Sequence, residues 1–255
     1  AIKVTGEKFK PRELTVTNGH RCFELTDSGT LLGGSLELHD GRASCFYGHD
    51  NVQGVFLDKL DIVCGSAAYG TEGSLRLENF IDAVSFTDWQ VLGGMYPMIL
   101  DAVTLGDANQ PSYSSLANGY LDGFARSAII KNSKLISLPN LWLSGGRDGS
   151  GYDAMIIENS TAIALPAAKL QNCGGSAVRV KADSKHVQIV DAQAHCNGQT
   201  IASPAVVLAR LSAITPLLPG DVILTGTPEG VVNVNVGDEV VTEIDGIGRL
   251  VNTIV

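Results

Sequence analysis

Between Phe80 and Tyr152 the sequence concentrates two kinds of side chain that together could handle a sugar. The carboxylates Asp88, Asp101, Asp122, Asp148 and Asp153 could serve as acid and base; Trp89, Tyr96, Tyr120, Trp142, Arg147 and Tyr152 could bind the substrate. Aromatic rings offer flat apolar faces for sugar rings, and carboxylates bond hydroxyls. Glycoside hydrolysis needs two carboxyl groups, about 5 Å apart for retention or roughly 6.5 to 9.5 Å apart for inversion. Only the fold can set that distance. The densest stretch runs from Leu141 to Asp153, where Trp142 precedes Ser144-Gly145-Gly146-Arg147-Asp148-Gly149-Ser150-Gly151. Leaving a strand beside Trp142, it is either one wall of a groove or a plain Gly-rich turn.

What could bring these residues onto one surface is a repeat. Ile129-Ile130-Lys131-Asn132-Ser133 through Leu138-Pro139 recurs as Ile156-Ile157-Glu158-Asn159-Ser160 through Leu165-Pro166, with a spacing of 27 positions. A fixed period of that size marks stacked supersecondary units. The repeat is β-branched and aliphatic on both sides of an Asn-Ser pair, with no helical spacing, so it reads as strand, turn, strand. At about 3.3 Å per residue, 27 residues trace roughly 90 Å, enough for one three-sided coil around an apolar core. The expected fold is a right-handed parallel β-helix, mainly β, in which Asn159 stacks on Asn132 and their amides bond along the axis. Related segments, Val55-Phe56-Leu57, Leu75-Arg76-Leu77, Met98-Ile99-Leu100, Ala128-Ile129-Ile130, Met155-Ile156-Ile157 and Val178-Arg179-Val180, recur every 20 to 30 residues, and Asp183-Ser184 resembles the Asn-Ser turn again.

Composition agrees with a turn-rich β protein: 255 residues, 44% hydrophobic, 29 glycines. A formal charge of −9 argues against nucleic acid and anionic membranes, which need basic patches. No apolar run approaches the roughly 18 residues of a membrane span. Five cysteines, Cys22, Cys45, Cys64, Cys173 and Cys196, form no Cys-x-x-Cys pair and read as reduced core residues. Five scattered histidines suggest no metal, and no cofactor is expected.

Three domains are expected: a connecting segment over residues 1–28, the β-helix over 29–199 and a small β-rich module over 200–255. Residue 1 reads as an internal boundary of a longer protein, since no capping helix covers the first coil. Near Thr200 the pattern changes. Ser203-Pro204 followed by Ala205 to Ser212 predicts one short helix, with Ser at the N-cap and Pro at the first helical position. Strands at Val222–Thr225, Val240–Ile244 and Leu250–Val255 follow, joined by tight turns.

The stretch Leu217-Leu218-Pro219-Gly220-Asp221-Val222-Ile223-Leu224-Thr225-Gly226-Thr227-Pro228-Glu229-Gly230-Val231, with Gly237-Asp238-Glu239-Val240 and Ile247 to Asn252, closely resembles the C-terminal end of the fumarylacetoacetate hydrolase family. The resemblance covers about Ile201 to Val255 and implies that Thr227 lies beside the substrate. It also implies a divalent metal held by an earlier Glu-x-Glu and a later Asp, and nothing in residues 1–200 matches those motifs. The module therefore reads as a borrowed folding module, for which the architectural resemblance that follows implies a capping and trimerising role.

A solenoid followed by a compact β-rich end resembles phage tailspike proteins, which are trimeric parallel β-helices. That resemblance implies a virion tail location, a homotrimer, and binding and depolymerisation of a bacterial surface polysaccharide by hydrolase or lyase chemistry. Two alternatives stand beside it: a non-catalytic receptor-binding or assembly segment, and a metal-dependent enzyme of the hydrolase family named above.

Overall fold

Alternation of apolar and polar residues places one face of each short strand inward, and the strands then stack into coils. The computed structural model describes residues 1–52, 54–79, 83–105, 116–145, 152–195, 235–244 and 248–254. Two units divide the chain, Ala1–Val206 and Val207–Val255.

The first unit is a parallel β-solenoid. Its first coil contains β1 (Ile2–Thr5), β2 (Lys8–Phe9) and β3 (Glu13–Thr17); its second contains β4 (Arg21–Thr26), β5 (Thr30–Leu32) and β6 (Ser35–His39). Next come β7 (Ser44–Gly48) with the long β8 (Gly54–Cys64), then β9 (Leu75–Glu78) with the equally long β10 (Ala83–Gly93). Because β8 pairs with both β5 and β6, it runs as one strand where the previous coil has two. β11 (Met98–Asp101) and β12 (Tyr120–Phe124) follow. The last coils are three-sided: β13 (Ala128–Lys131), β14 (Lys134–Ser137) and β15 (Trp142–Gly145); β16 (Met155–Glu158), β17 (Thr161–Ala164) and β18 (Lys169–Gln171); β19 (Val178–Val180), β20 (Lys185–Gln188) and β21 (Gln193–His195). Sheet A stacks eight strands in the order β1-β4-β7-β9-β11-β13-β16-β19, sheet B has ten, and sheet C is β14-β17-β20. Residues 1–28, expected to be a connecting segment, already supply β1 to β4 and belong to the stack.

The 27-residue repeat is the stacking register: Ile129 pairs with Ile156, Ile130 with Ile157 and Ile136 with Ile163. Leu75, Met98, Ala128, Met155 and Val178 form one column of sheet A, as their spacing suggests. Val55-Phe56-Leu57 does not join it. That segment lies in β8 of sheet B, and Phe46 stacks on Leu75 instead. The misreading has a simple cause, since every side of a coil presents the same aliphatic alternation.

Asn132 and Asn159 end their sheet A strands at φ of 52° and 42°, a left-handed turn that Asn tolerates. Asn159 Nδ2 donates to Asn132 Oδ1 at 2.8 Å, and Asn132 Nδ2 to Asp101 Oδ1 at 2.8 Å. Beneath this ladder runs a buried one of hydroxyls. The backbone N–H of Val103, Ser133 and Ser160 donates to Oγ of Ser133, Ser160 and Ser184 in turn. Another corner repeats the device, with Asn140 Nδ2 donating to Asn118 Oδ1 at 3.1 Å. Inside, Phe23 stacks on Phe46 at a centroid distance of 5.6 Å, and Phe9 meets Phe23 tilted by 35° at 5.9 Å.

Burying one Leu or Phe contributes about 1.5 to 3 kcal/mol, against roughly 0.5 to 1.5 for one hydrogen bond, so the core drives coiling and the ladders choose alignment.

The second unit contributes an antiparallel hairpin of β22 (Glu239–Ile244) and β23 (Gly248–Thr253). The helix expected over Ser203–Ser212 and the strand at Val222–Thr225 lie outside the described residues; among the described residues there is no helix.

The amide ladder is testable. Urea unfolding of Asn132→Ala, Asn159→Ala and the double variant should give a coupling of about 0.5 kcal/mol or more, because the two side chains share one bond. Strict additivity would remove the ladder as a stabilising contact.

Candidate functional site

Sheet B gathers part of the expected site on its outer face. Successive side chains of a strand alternate between faces, so Leu121 and Leu143 point into the core while Tyr120, Asp122, Trp142 and Ser144 point away. Tyr120 pairs in register with Trp142 and Asp122 with Ser144. The rings of Tyr120 and Trp142 stack at 5.5 Å with 21° between planes, and Tyr120 hydroxyl donates to Asp122 Oδ2 at 3.4 Å. Asn172 Nδ2 donates to Ser144 Oγ at 2.9 Å on the next coil. Two buried atoms of this patch, the acceptor Asp122 Oδ1 and the donor Trp142 Nε1, find no partner in the protein. Since Tyr120 and Trp142 cover one face of each other, the patch presents ring edges more than an open platform.

The remaining expected residues are dispersed or committed elsewhere. Trp89 is a correction: it is 1% exposed, its Nε1 donates to Ala117 O at 3.0 Å, and a Cβ on Gly119 would lie 2.1 Å from its ring. It fills the core and offers no face to a ligand. Asp88 is exposed on β10 opposite Lys59. Asp101 is paired with Lys131 at 3.0 Å and accepts from Asn132. Tyr96 lies in the turn before β11, and Tyr152 lies under the Arg126 guanidinium at 3.9 Å. Arg147 and Asp148 lie outside the described residues, as does Thr227.

Asp153 is 8% exposed; it is bonded by Arg179 through Nε and through Nη2 at 3.1 Å, and by Ser176 N–H at 2.8 Å. Burial works to raise its pKa, but the Arg179 and Ser176 hydrogen bonds and the Arg179 charge prevail and hold it below the ordinary aspartate range. The Asp153 carboxylate is therefore committed to Arg179 and the Ser176 N–H.

The richest polar cluster escaped the sequence reading. On sheet A, Tyr47 lies between the guanidinium groups of Arg21, 4.3 Å away, and Arg76, 5.6 Å away, with His49 stacked at 4.2 Å. Its hydroxyl donates to Glu78 Oε2 at 2.9 Å. Burial and the Glu78 carboxylate push the Tyr47 pKa up to about 12. Burial opposes ionisation of Glu24 too, yet bonds from Lys3 and His49 and the nearby charges hold its pKa down. Arg21 reaches Glu72 at 3.1 Å and Arg76 reaches Glu78 at 2.8 Å. Glu24, Tyr47 and Arg76 stand in register on three successive coils, with Arg21 reaching across from the start of β4. With its charges paired, the cluster reads as the polar seam of the first coils.

Cys22, Cys45 and Cys64 are free thiols, as expected. Cys173 is a correction, since it is held in a disulfide. Among the described residues, no group of three or more His, Cys, Asp or Glu is arranged to hold a metal ion.

Comparison with known proteins bears on the C-terminal part of the chain. The sequence profile of the family described as "Fumarylacetoacetate (FAA) hydrolase C-terminal" matches residues 155–255. The match thus begins at Met155, earlier than the expected Ile201, and its first part overlaps the last coils from β16 onward. The chain is 54% identical over 55 residues to the "4-hydroxyphenylacetate degradation bifunctional isomerase/decarboxylase" of Escherichia coli, covering 22% of this chain and 13% of that protein. It is 58% identical over 48 residues to the Salmonella dublin protein of the same name, covering 19% and 11%. To the "Fumarylpyruvate hydrolase" of Ralstonia sp it is 40% identical over 67 residues, covering 23% and 35%. This chain therefore spans well under half the length of these relatives. No solved structure matches.

These relatives overturn the polysaccharide-depolymerising tailspike reading, because their names are those of enzymes acting on small molecules. The structure retains the solenoid from that expectation, and the comparisons retain the hydrolase-family alternative.

The Asp153 clamp gives a pH prediction. A carboxyl with a depressed folded pKa contributes stability that is present above the unfolded value of about 3.9 and is lost as pH falls through the folded value. Asp153→Asn should cost about 1 to 2 kcal/mol at pH 7 and unfold with a weaker acid dependence than wild type. Parallel pH profiles for the two proteins would rule the clamp out.

Proposed function

We propose that this chain serves small-molecule catabolism, its C-terminal segment forming the substrate-contacting end of a fumarylacetoacetate-hydrolase-type site for a small oxo acid. The observation that carries the reading is the identity of up to 58% to isomerase/decarboxylase proteins, together with the family match over residues 155–255. Thr227, in the Gly226-Thr227-Pro228 sequence, is the residue we assign to the substrate, as the family resemblance implies, its hydroxyl being suited to bond a carboxylate or oxo oxygen. The family resemblance implies a divalent metal, but the described residues do not fit one: no suitable group of three ligands occurs among them. No step is therefore assigned to a metal.

The carboxylates of the solenoid play no part in this reading. Asp101 and Asp153 are engaged by Lys131 and Arg179, and the solenoid acts as scaffold.

Turnover of fumarylpyruvate and simple acylpyruvates by the full chain, with magnesium or manganese added, is the direct assay. Thr227→Ala should lower kcat/KM tenfold or more while shifting stability by less than about 1 kcal/mol. A wild-type chain without turnover above buffer, or a Thr227→Ala variant as active as wild type, would overturn the assignment.

A further inference from the structure

Three thiols meet at a corner between sheets A and B. Cys22 of β4 and Cys45 of β7 occupy equivalent positions in adjacent coils, between the pairs Arg21 with Ser44 and Phe23 with Phe46. Cys64, the last residue of β8, brings its Sγ to 3.4 Å from Cys45 Sγ and 3.5 Å from Ser74 Oγ. Gly41 N–H donates to Cys45 Sγ at 3.3 Å, and the Cys22 thiol donates to His39 O at 3.2 Å.

Access distinguishes the three. Cys22 and Cys45 are fully buried, whereas Cys64 is 4% exposed and lines a cavity of about 320 Å³ walled by Gly65, Ser66, Gly93, Gly94 and Gly123. The cavity depends on missing side chains. A Cβ on Gly94, which sits at φ +86°, would lie 3.2 Å from Cys64 Cβ and 2.8 Å from Ser74 Oγ.

We propose that Cys45 and Cys64 form an oxidation-sensitive dithiol, which a small peroxide entering through the glycine-walled cavity converts to a disulfide. The Cys64 thiolate attacks one peroxide oxygen; the O–O bond breaks, hydroxide leaves and Cys64 becomes a sulfenic acid. Cys45 sulfur then attacks Cys64 sulfur, the S–S bond forms, and the hydroxyl departs as water with the Cys45 proton. The two sulfurs lose two electrons together and the peroxide gains them.

Protonation supports that order. The hydrogen bond from Cys45 lowers the Cys64 pKa against burial, with Ser74 assisting, while bonds to Cys22 and Cys64 and burial push Cys45 up. The reachable sulfur is therefore the better thiolate, and its buried neighbour keeps its proton until the second step. Cys22 is pushed down to about 6, chiefly by Cys45, but it is fully buried and does not line this cavity.

The 255-residue chain, treated with stoichiometric hydrogen peroxide and digested after alkylation of the remaining thiols, should yield a Cys45–Cys64 linked peptide lacking two hydrogens and restored by dithiothreitol. Cys45→Ser should instead leave a sulfenic acid on Cys64 that dimedone traps, and Cys22→Ser should leave the link intact. The wild-type peptide map decides by itself if a variant fails to fold. An unmodified Cys64, a Cys22–Cys45 link, or oxidation of Cys64 beyond sulfenic acid with no link would each overturn the proposal.

Discussion

Hydrogen bonding along the solenoid axis fixes where every other residue must sit. Parallel strands in register place each side chain about 4.8 Å from its counterpart in the next coil, so whatever one coil does, its neighbours must accommodate. An apolar column stays apolar from Leu75 through Val178. Turns that need a left-handed residue need one in coil after coil, which Asn79, Ala102, Asn132 and Asn159 supply. Hydroxyls buried at Ser133 and Ser160 are tolerated because each accepts from a neighbouring backbone and donates to Lys131 O or Glu158 O.

The same rule is hostile to charge, since identical ions one coil apart repel. Some pairs answer by alternation, Lys3 standing on Glu24 at 2.9 Å and Lys131 on Glu158, while Lys59 lies between the in-register carboxylates Glu37 and Asp61. Lys131 turns back to Asp101 and Lys181 serves Glu158 at 2.6 Å. Lys3 and Lys181 are about half exposed, and such pairs contribute well under about 1 kcal/mol each. They select an alignment that the core, far larger in energy, would accept with a coil displaced.

Periodicity made the solenoid legible from Leu75 onward, where one residue triplet per coil carries the signal. It hid β1 to β4, because these short strands are split by Gly6, Pro11 and Gly19 and carry no triplet that matches the later coils. The Asn132 and Asn159 contact followed directly from spacing. Which aromatic points inward did not: Trp89 and Trp142 look alike in sequence, and only Gly119 packed against Trp89 separates the core ring from the surface one. Nor could spacing tell a working carboxylate from a clamped one, since Asp153 meets Arg179 across a coil.

The change in cross-section along the axis has a consequence for assembly of the chain. Near-identical units invite a slip in which one coil docks a full unit out of place, a topological error that costs little where neighbours are interchangeable. Here they are not. The two long strands β8 and β10 fit only each other over ten residue pairs, and sheet C begins only at the bridge from Thr104 to Lys134. A displaced coil would meet a side of the wrong length, so the irregular middle works as a key that gives the repeated coils a single order of threading.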